Sequence, residues 1–131
     1  MAGCVFCDMP QSEISRVIYE DGVCRVLISR YPVEKGHLLV VSKAHYSDIF
    51  EAPDPVIGRM FSVAKRFGRI VERRLGCMGM DIGVNAGSVG SIQHLHIHIL
   101  PRYSMRMLHF APGKNEIRQK EVNEIRRLLK L

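Results

Sequence analysis

His94-Leu95-His96-Ile97-His98-Ile99-Leu100 places three imidazoles on alternate residues of one short apolar run. Read as a β-strand, its period of two puts His94, His96 and His98 on one face and Leu95, Ile97 and Ile99 on the other. One face is then chemical and the other belongs to a core. A rise of roughly 3.3 Å per residue sets neighbouring histidines about 6.6 Å apart and the outer pair about 13 Å apart. One metal held roughly 2 Å from each nitrogen reaches two of them and scarcely all three. Imidazole titrates near neutral pH and is costly to bury in number, so separate tasks for the three rings are a better account than core filling.

The strand extends over Gln93–Leu100 and closes at Pro101, which cannot donate to a sheet ladder. Before it, Met80–Val84 reads as another strand, and Asn85-Ala86-Gly87-Ser88-Val89-Gly90-Ser91 between them is almost entirely small or turn-prone. Gly87 and Gly90 allow close backbone approach to a ligand, and Ser91 with neighbouring N–H groups can donate to phosphate oxygens. Taken alone, the loop is equally an ordinary hairpin turn. Beside an imidazole strand it suggests nucleophilic catalysis on phosphorus, in which a neutral histidine forms a phosphohistidine. The middle histidine, His96, is best placed, with a histidine on each side.

Upstream, Arg16–Glu20 and Val23–Ile28 read as strands around a turn at Asp21-Gly22, and His37–Ser42 as a third strand entered through Gly36. From Asp54 the period changes. Ile57, Met60, Phe61, Ala64, Phe67, Val71 and Leu75 recur at helical spacing between Pro55 and Gly76, with Arg59, Lys65, Arg66, Arg69, Arg73 and Arg74 on the other face. A tail helix from Glu116 carries Val122, Ile125, Leu128 and Leu129. The class is α+β: a five-stranded, mainly antiparallel sheet with one long helix and a C-terminal helix packed on it.

At 131 residues, 47% hydrophobic and 24% charged, the chain is expected to form one soluble domain spanning residues 1–131. It has neither an apolar run approaching membrane-spanning length nor a basic segment leading into an apolar one, so a cytoplasmic protein without membrane association is expected. The net charge of +6 favours an anionic partner. Much of that charge lies on the two helix faces, and no basic patch interleaved with aromatics accompanies it, which disfavours nucleic acid. Without a secretory signal, a disulfide framework is not expected for the four cysteines. Cys24 and Cys77 fall in apolar stretches as inert thiols. Cys4-Val5-Phe6-Cys7 supplies half of a tetrahedral zinc site, with His45 and His94 as candidate completions and a redox pair as the rival.

From Cys4-Val-Phe-Cys7 through Tyr19-Glu-Asp21, Gly36-His-Leu-Leu-Val-Val41, Lys43-Ala-His45 and Asn85-x-Gly87 to His94-Leu-His-Ile-His-Ile-Leu-Pro-Arg102, the chain resembles the histidine triad (HIT) superfamily. The Cys-x-x-Cys suggests its zinc-bearing branch. Arg30-Tyr31-Pro32 and His109-Phe110-Ala-Pro112 look like members acting on dinucleoside polyphosphates. The resemblance implies a HIT-like fold, with His96 the nucleophile toward a nucleotide α-phosphate and His98 contacting the phosphate and aiding departure of the leaving group. It further implies His37 in the phosphate pocket, Asn85 near ribose or phosphate, Ser91 on the phosphate and Phe6 against the base. Cys4, Cys7, His45 and His94 would hold a structural zinc, and two copies would pair as a homodimer. Two positions depart from the pattern: Gly90 stands where many members carry glutamine, and Ser29 where one branch carries a ribose-binding aspartate.

The expected activity is thus cleavage of an adenosine nucleotide, a dinucleoside polyphosphate or nucleoside phosphoramidate, by a hydrolase or transferase working through a covalent nucleotidyl-histidine. The alternative is an adaptor that binds purine nucleotides with little turnover.

Overall fold

A computed structural model describes residues 3–131. Two one-turn helices, α1 (Val5–Asp8) and α2 (Gln11–Ile14), lead into strands β1 (Val17–Glu20), β2 (Cys24–Ile28) and β3 (Leu38–Ser42). The long helix α3 (Asp54–Leu75), strands β4 (Gly79–Gly83) and β5 (His96–Arg102), and the C-terminal helix α4 (Gln119–Leu129) follow. The strands form one sheet in the order β1-β2-β3-β5-β4, every neighbouring pair antiparallel. Among the described residues, no helix is long and apolar enough to cross a membrane.

Strand alternation gives the sheet two different faces. Cys24, Val26, Ile28, Leu38, Val40, Ile97 and Ile99 point into the main core with Leu95, under Met60, Val63, Ala64, Phe67 and Val71 of α3 and Val122, Ile125 and Leu129 of α4. Leu27, Leu39 and Val41 point the other way, where Phe6 covers them. Leu39 pairs with His98 and Val41 with His96, so the histidines share that second face. α3 is ended by Gly76 in the left-handed region, and its helical stripe matches the sequence pattern except at Phe61, which is exposed while Val63 takes a core place. Phe61 lies one residue off the stripe, about 100° around the helix.

β5 differs from its sequence reading at both ends. Pairing begins at His96 rather than Gln93; His94 precedes the ladder, although Leu95 still bonds to Tyr46 and Ser42 through the backbone. At the other end the strand runs through Pro101, paired with Met80, to Arg102. β3 stops pairing at Ile99, so beyond that point only β4 flanks the strand and a missing N–H is tolerated. The N-terminal helices were not expected from periodicity. All four cysteines are free; Cys24 is buried, while Cys77 is only half-buried.

Candidate functional site

Helix α1, with Cys7 in its single turn and Cys4 at its N-cap, carries both cysteines over the histidine face. The ligand atoms of Cys4, Cys7, His45 and His94 lie within 4.8 Å of one another, so these four residues are positioned to bind a metal. His94 Nδ1 stands 3.3 Å from Cys4 Sγ, 3.4 Å from Cys7 Sγ and 3.1 Å from His45 Nδ1, and Cys7 Sγ stands 3.2 Å from His45 Nδ1. A tetrahedron with bonds near 2.0 Å to nitrogen and 2.3 Å to sulfur has edges of roughly 3.3–3.8 Å, close to that set. His94 Nε2–H donates to the Ser42 carbonyl at 2.7 Å, which leaves the Nδ1 lone pair aimed at the cluster. The donor set therefore fits a tetrahedral cation in element type, spacing and tautomer.

Phe6 separates this cluster from the next ring, packing edge-on against both His94 and His96 at centroid distances of 5.6 and 5.4 Å. His96 Nδ1–H donates to the carbonyl of His94 at 2.6 Å, so its Nε2 carries the lone pair. A second chain of bonds sets the other two tautomers. The Val33 N–H donates to His37 Nδ1 at 3.1 Å, so the proton of His37 sits on Nε2 and is donated to His98 Nδ1 at 3.0 Å. His98 in turn carries its own proton on Nε2. Burial, the largest cause in each case, holds His96 below its ordinary value, His37 down at about 4 and His98 at about 3, with neighbouring imidazoles adding to the last two. All three rings are neutral at physiological pH, one with a free lone pair and another with a free donor.

These rings line a cavity of about 270 Å³ together with Phe6, Ser29, Leu39, Ser91 and Ile92. The expected residues Phe6, Ser29, His37, Ser91, His96 and His98 are thus gathered around one space. Asn85 and Gly90 do not line it. The Asn85 amide donates to the Phe110 carbonyl at 2.5 Å, and the Phe110 ring stacks on His98 at 5.5 Å, so Asn85 reaches the site through a third residue. The N–H of Gly87, a residue read above as allowing close backbone approach to a ligand, donates to Asp48 Oδ2 at 2.9 Å. Arg30, Tyr31, Ala111 and Pro112, from the two segments that resemble dinucleoside polyphosphate-acting members, also line the cavity, as does Glu13, which nothing in the local sequence pattern singled out. A larger groove of about 760 Å³ lies along Pro32–Lys35 and the segment after β5; His37, His96 and His98 do not border it. Chemistry rather than size identifies the site.

Comparison with known proteins is consistent with this geometry. Residues 11–105 match the model of a family described as the HIT domain. The chain is 36% identical over 103 residues to an uncharacterised HIT-like protein of Methanocaldococcus jannaschii, a match covering 76% of this chain and 79% of that one. It is 32% identical over 102 residues to the adenylylsulfatase HINT3 of Arabidopsis thaliana, covering 76% of this chain and 52% of the plant protein, about half its length. Among solved structures, a zinc-bound histidine triad family protein from Mycobacterium smegmatis matches with a TM-score of 0.78 at 28% identity, over 98% of this chain and 94% of that one.

Proposed function

Because the chain belongs to the HIT domain family, we propose that it is a nucleotide hydrolase or transferase that cleaves an adenosine nucleotide at the α-phosphate through a covalent nucleotidyl-histidine on His96. The tautomer of His96 carries this reading: with Nδ1–H tied to a backbone carbonyl, a neutral ring on the cavity wall keeps Nε2 as a nucleophile.

Nε2 of His96 attacks the α-phosphorus, forming a P–N bond as the bond to the leaving group breaks. The leaving atom takes the electron pair, and His98 Nε2–H donates to it. His37 holds His98 in the tautomer that keeps that donor available. Water then cleaves the P–N bond, which releases the nucleoside monophosphate and restores neutral His96. Ser91 at the cavity mouth bonds the phosphate, Phe6 lies against the base and Ser29 beside the sugar. A dinucleoside polyphosphate, a nucleoside phosphoramidate and an adenylyl sulfate share this reaction and differ only in leaving group; HINT3, by its name, acts on the last.

Cys4, Cys7, His45 and His94 would hold zinc, which ties the N-terminal segment to the residues before β5. Four protein ligands leave no open position for a reacting water, so its role is structural. A homodimer belongs to the same proposal: β4 lies at a sheet edge with Ile82 37% exposed, available to a second copy.

Incubation with a panel of adenylated anhydrides and phosphoramidates tests the reading. Wild type releases nucleoside monophosphate and yields a labelled His96 on rapid quench, while His96→Ala binds nucleotide without turnover. An active His96→Ala enzyme would refute the covalent mechanism.

A further inference from the structure

Glu13 is a carboxylate in a place where carboxylates are costly. It is 5% exposed in α2 and borders the same cavity as Ser29, His37, His96 and His98. A buried carboxylate requires partners. Arg16 Nη2 approaches Glu13 Oε1 to 2.6 Å, both side chains being 6% exposed. That contact is an ion pair, and Nη2 has no hydrogen-bond partner among the described residues. Arg16 therefore balances the charge of Glu13 without saturating it. A carboxylate offers about four acceptor sites, so its unused capacity calls for donors from whatever fills the cavity.

The surroundings indicate which part of an occupant supplies them. Arg16 Nε–H donates to the Ile28 carbonyl at 3.0 Å, and the Arg16 carbonyl accepts from the Ile28 N–H at 2.9 Å. That pins the pair beside the residue preceding Ser29. The Ser29 N–H donates to the His37 carbonyl at 3.0 Å, and His37 bonds to His98. Ser29 thus stands beside His37, on the part of the cavity wall to which the Glu13–Arg16 pair is tied. In a nucleotide the group next to the phosphate is the sugar, and its vicinal diol offers two O–H donors on adjacent carbons. The remaining apolar lining, Val5, Phe6, Leu39 and Ile92, suits a base.

We infer that Glu13, from the one-turn helix α2, recognises the sugar by accepting hydrogen bonds from the 2′- and 3′-hydroxyls of a ribonucleotide. This assignment rests on the nucleotide reading above. The full chain is assayed on one adenylated anhydride in its ribo, 2′-deoxy and 3′-deoxy forms. A hydrogen bond to a charged acceptor makes each missing hydroxyl reduce kcat/KM about tenfold or more in wild type. Glu13→Gln brings the ribo substrate down toward the deoxy level and leaves the deoxy substrates nearly unchanged. Because that substitution strands the Arg16 charge, its melting temperature is measured alongside, and Glu13→Gln/Arg16→Met, which removes both charges of the pair, is assayed on the same three substrates if the single variant does not fold. Wild-type indifference to both hydroxyls, or an equal loss on all three substrates in Glu13→Gln, overturns the assignment while the hydrolase reading stands. A wild type that neither binds nor turns over any of the three overturns both.

Discussion

Nε2 of His37 donates to Nδ1 of His98 across 3.0 Å, in a pair whose members are 1% and 5% exposed. Burial first, and neighbouring imidazoles after it, push both below the ordinary histidine value, His37 to about 4 and His98 to about 3. In the unfolded chain both titrate near 6.5. Their contribution to stability is fully present above about pH 6.5 and is lost as pH falls toward 4 and then 3, because the unfolded state takes up protons first. Each histidine adds a slope of about 1.4 kcal/mol per pH unit within that window. Urea unfolding of wild type and His37→Asn across the window checks this; the variant has the shallower dependence, and parallel curves would rule the pair out as its source.

Loss of the proposed zinc is expected to reach His96 as well as the N-terminus. His94 gives its Nδ1 to the cluster, its Nε2–H to Ser42 and its carbonyl to His96 Nδ1–H. Cys4→Ser should lower bound zinc below one per chain, destabilise by more than about 2 kcal/mol and reduce turnover. Metal analysis of protein purified without added zinc, with thermal melts of both forms, measures it. Wild-type zinc content and melting temperature in Cys4→Ser would show that the four residues do not form a metal centre.

The features legible in the sequence were those governed by a period. Alternation at His94–Ile99 separated the histidine face from the core face even though His94 proved to lie outside the ladder, and helical spacing located α3 to its Gly76 stop. The four residues positioned to bind a metal were readable as candidates because a Cys-x-x-Cys leaves two ligands to find and strand geometry limits how many the triad can lend. Helices of four residues have no period to read, so α1 and α2 were invisible and Glu13 with them. The Asn85–Phe110 contact joins residues 25 apart through a backbone carbonyl, which no side-chain pattern encodes. Pro101 misled because its tolerance depends on where β3 stops, a property of another strand.

Gly36 fixes the entry into β3 just before His37. Its φ is +90°, and a Cβ there would run into Leu75 Cδ1 and lie 3.3 Å from Pro101 Cγ. Rotation of Leu75 relieves the contact but not the backbone strain. Gly36→Ala should therefore cost roughly 1–3 kcal/mol, read by urea unfolding. A neutral result would mean that the turn relaxes to negative φ without disturbing the strand.

The segment following β5 returns across the site at Phe110, and three contacts set where its ring lies. The ring stacks on His98 at 5.5 Å and 28°, Asn85 holds its carbonyl, and Gly83 leaves the room it occupies: a Cβ at Gly83 would come within 2.6 Å of Phe110 Cε2. Gly83 faces His98 in the β4–β5 register, so no side chain from β4 competes for that ring. Phe110→Ala removes a stacking partner worth about 0.5–1.5 kcal/mol and is expected to lower kcat/KM about three- to tenfold. Gly83→Ala displaces the same ring from the opposite side and should reproduce the loss, whereas Gly83→Ala in a Phe110→Ala background should add little, since the clash is gone. Steady-state kinetics on the four proteins supplies the cycle. Independent, multiplying effects would show that Gly83 and Phe110 influence His98 separately.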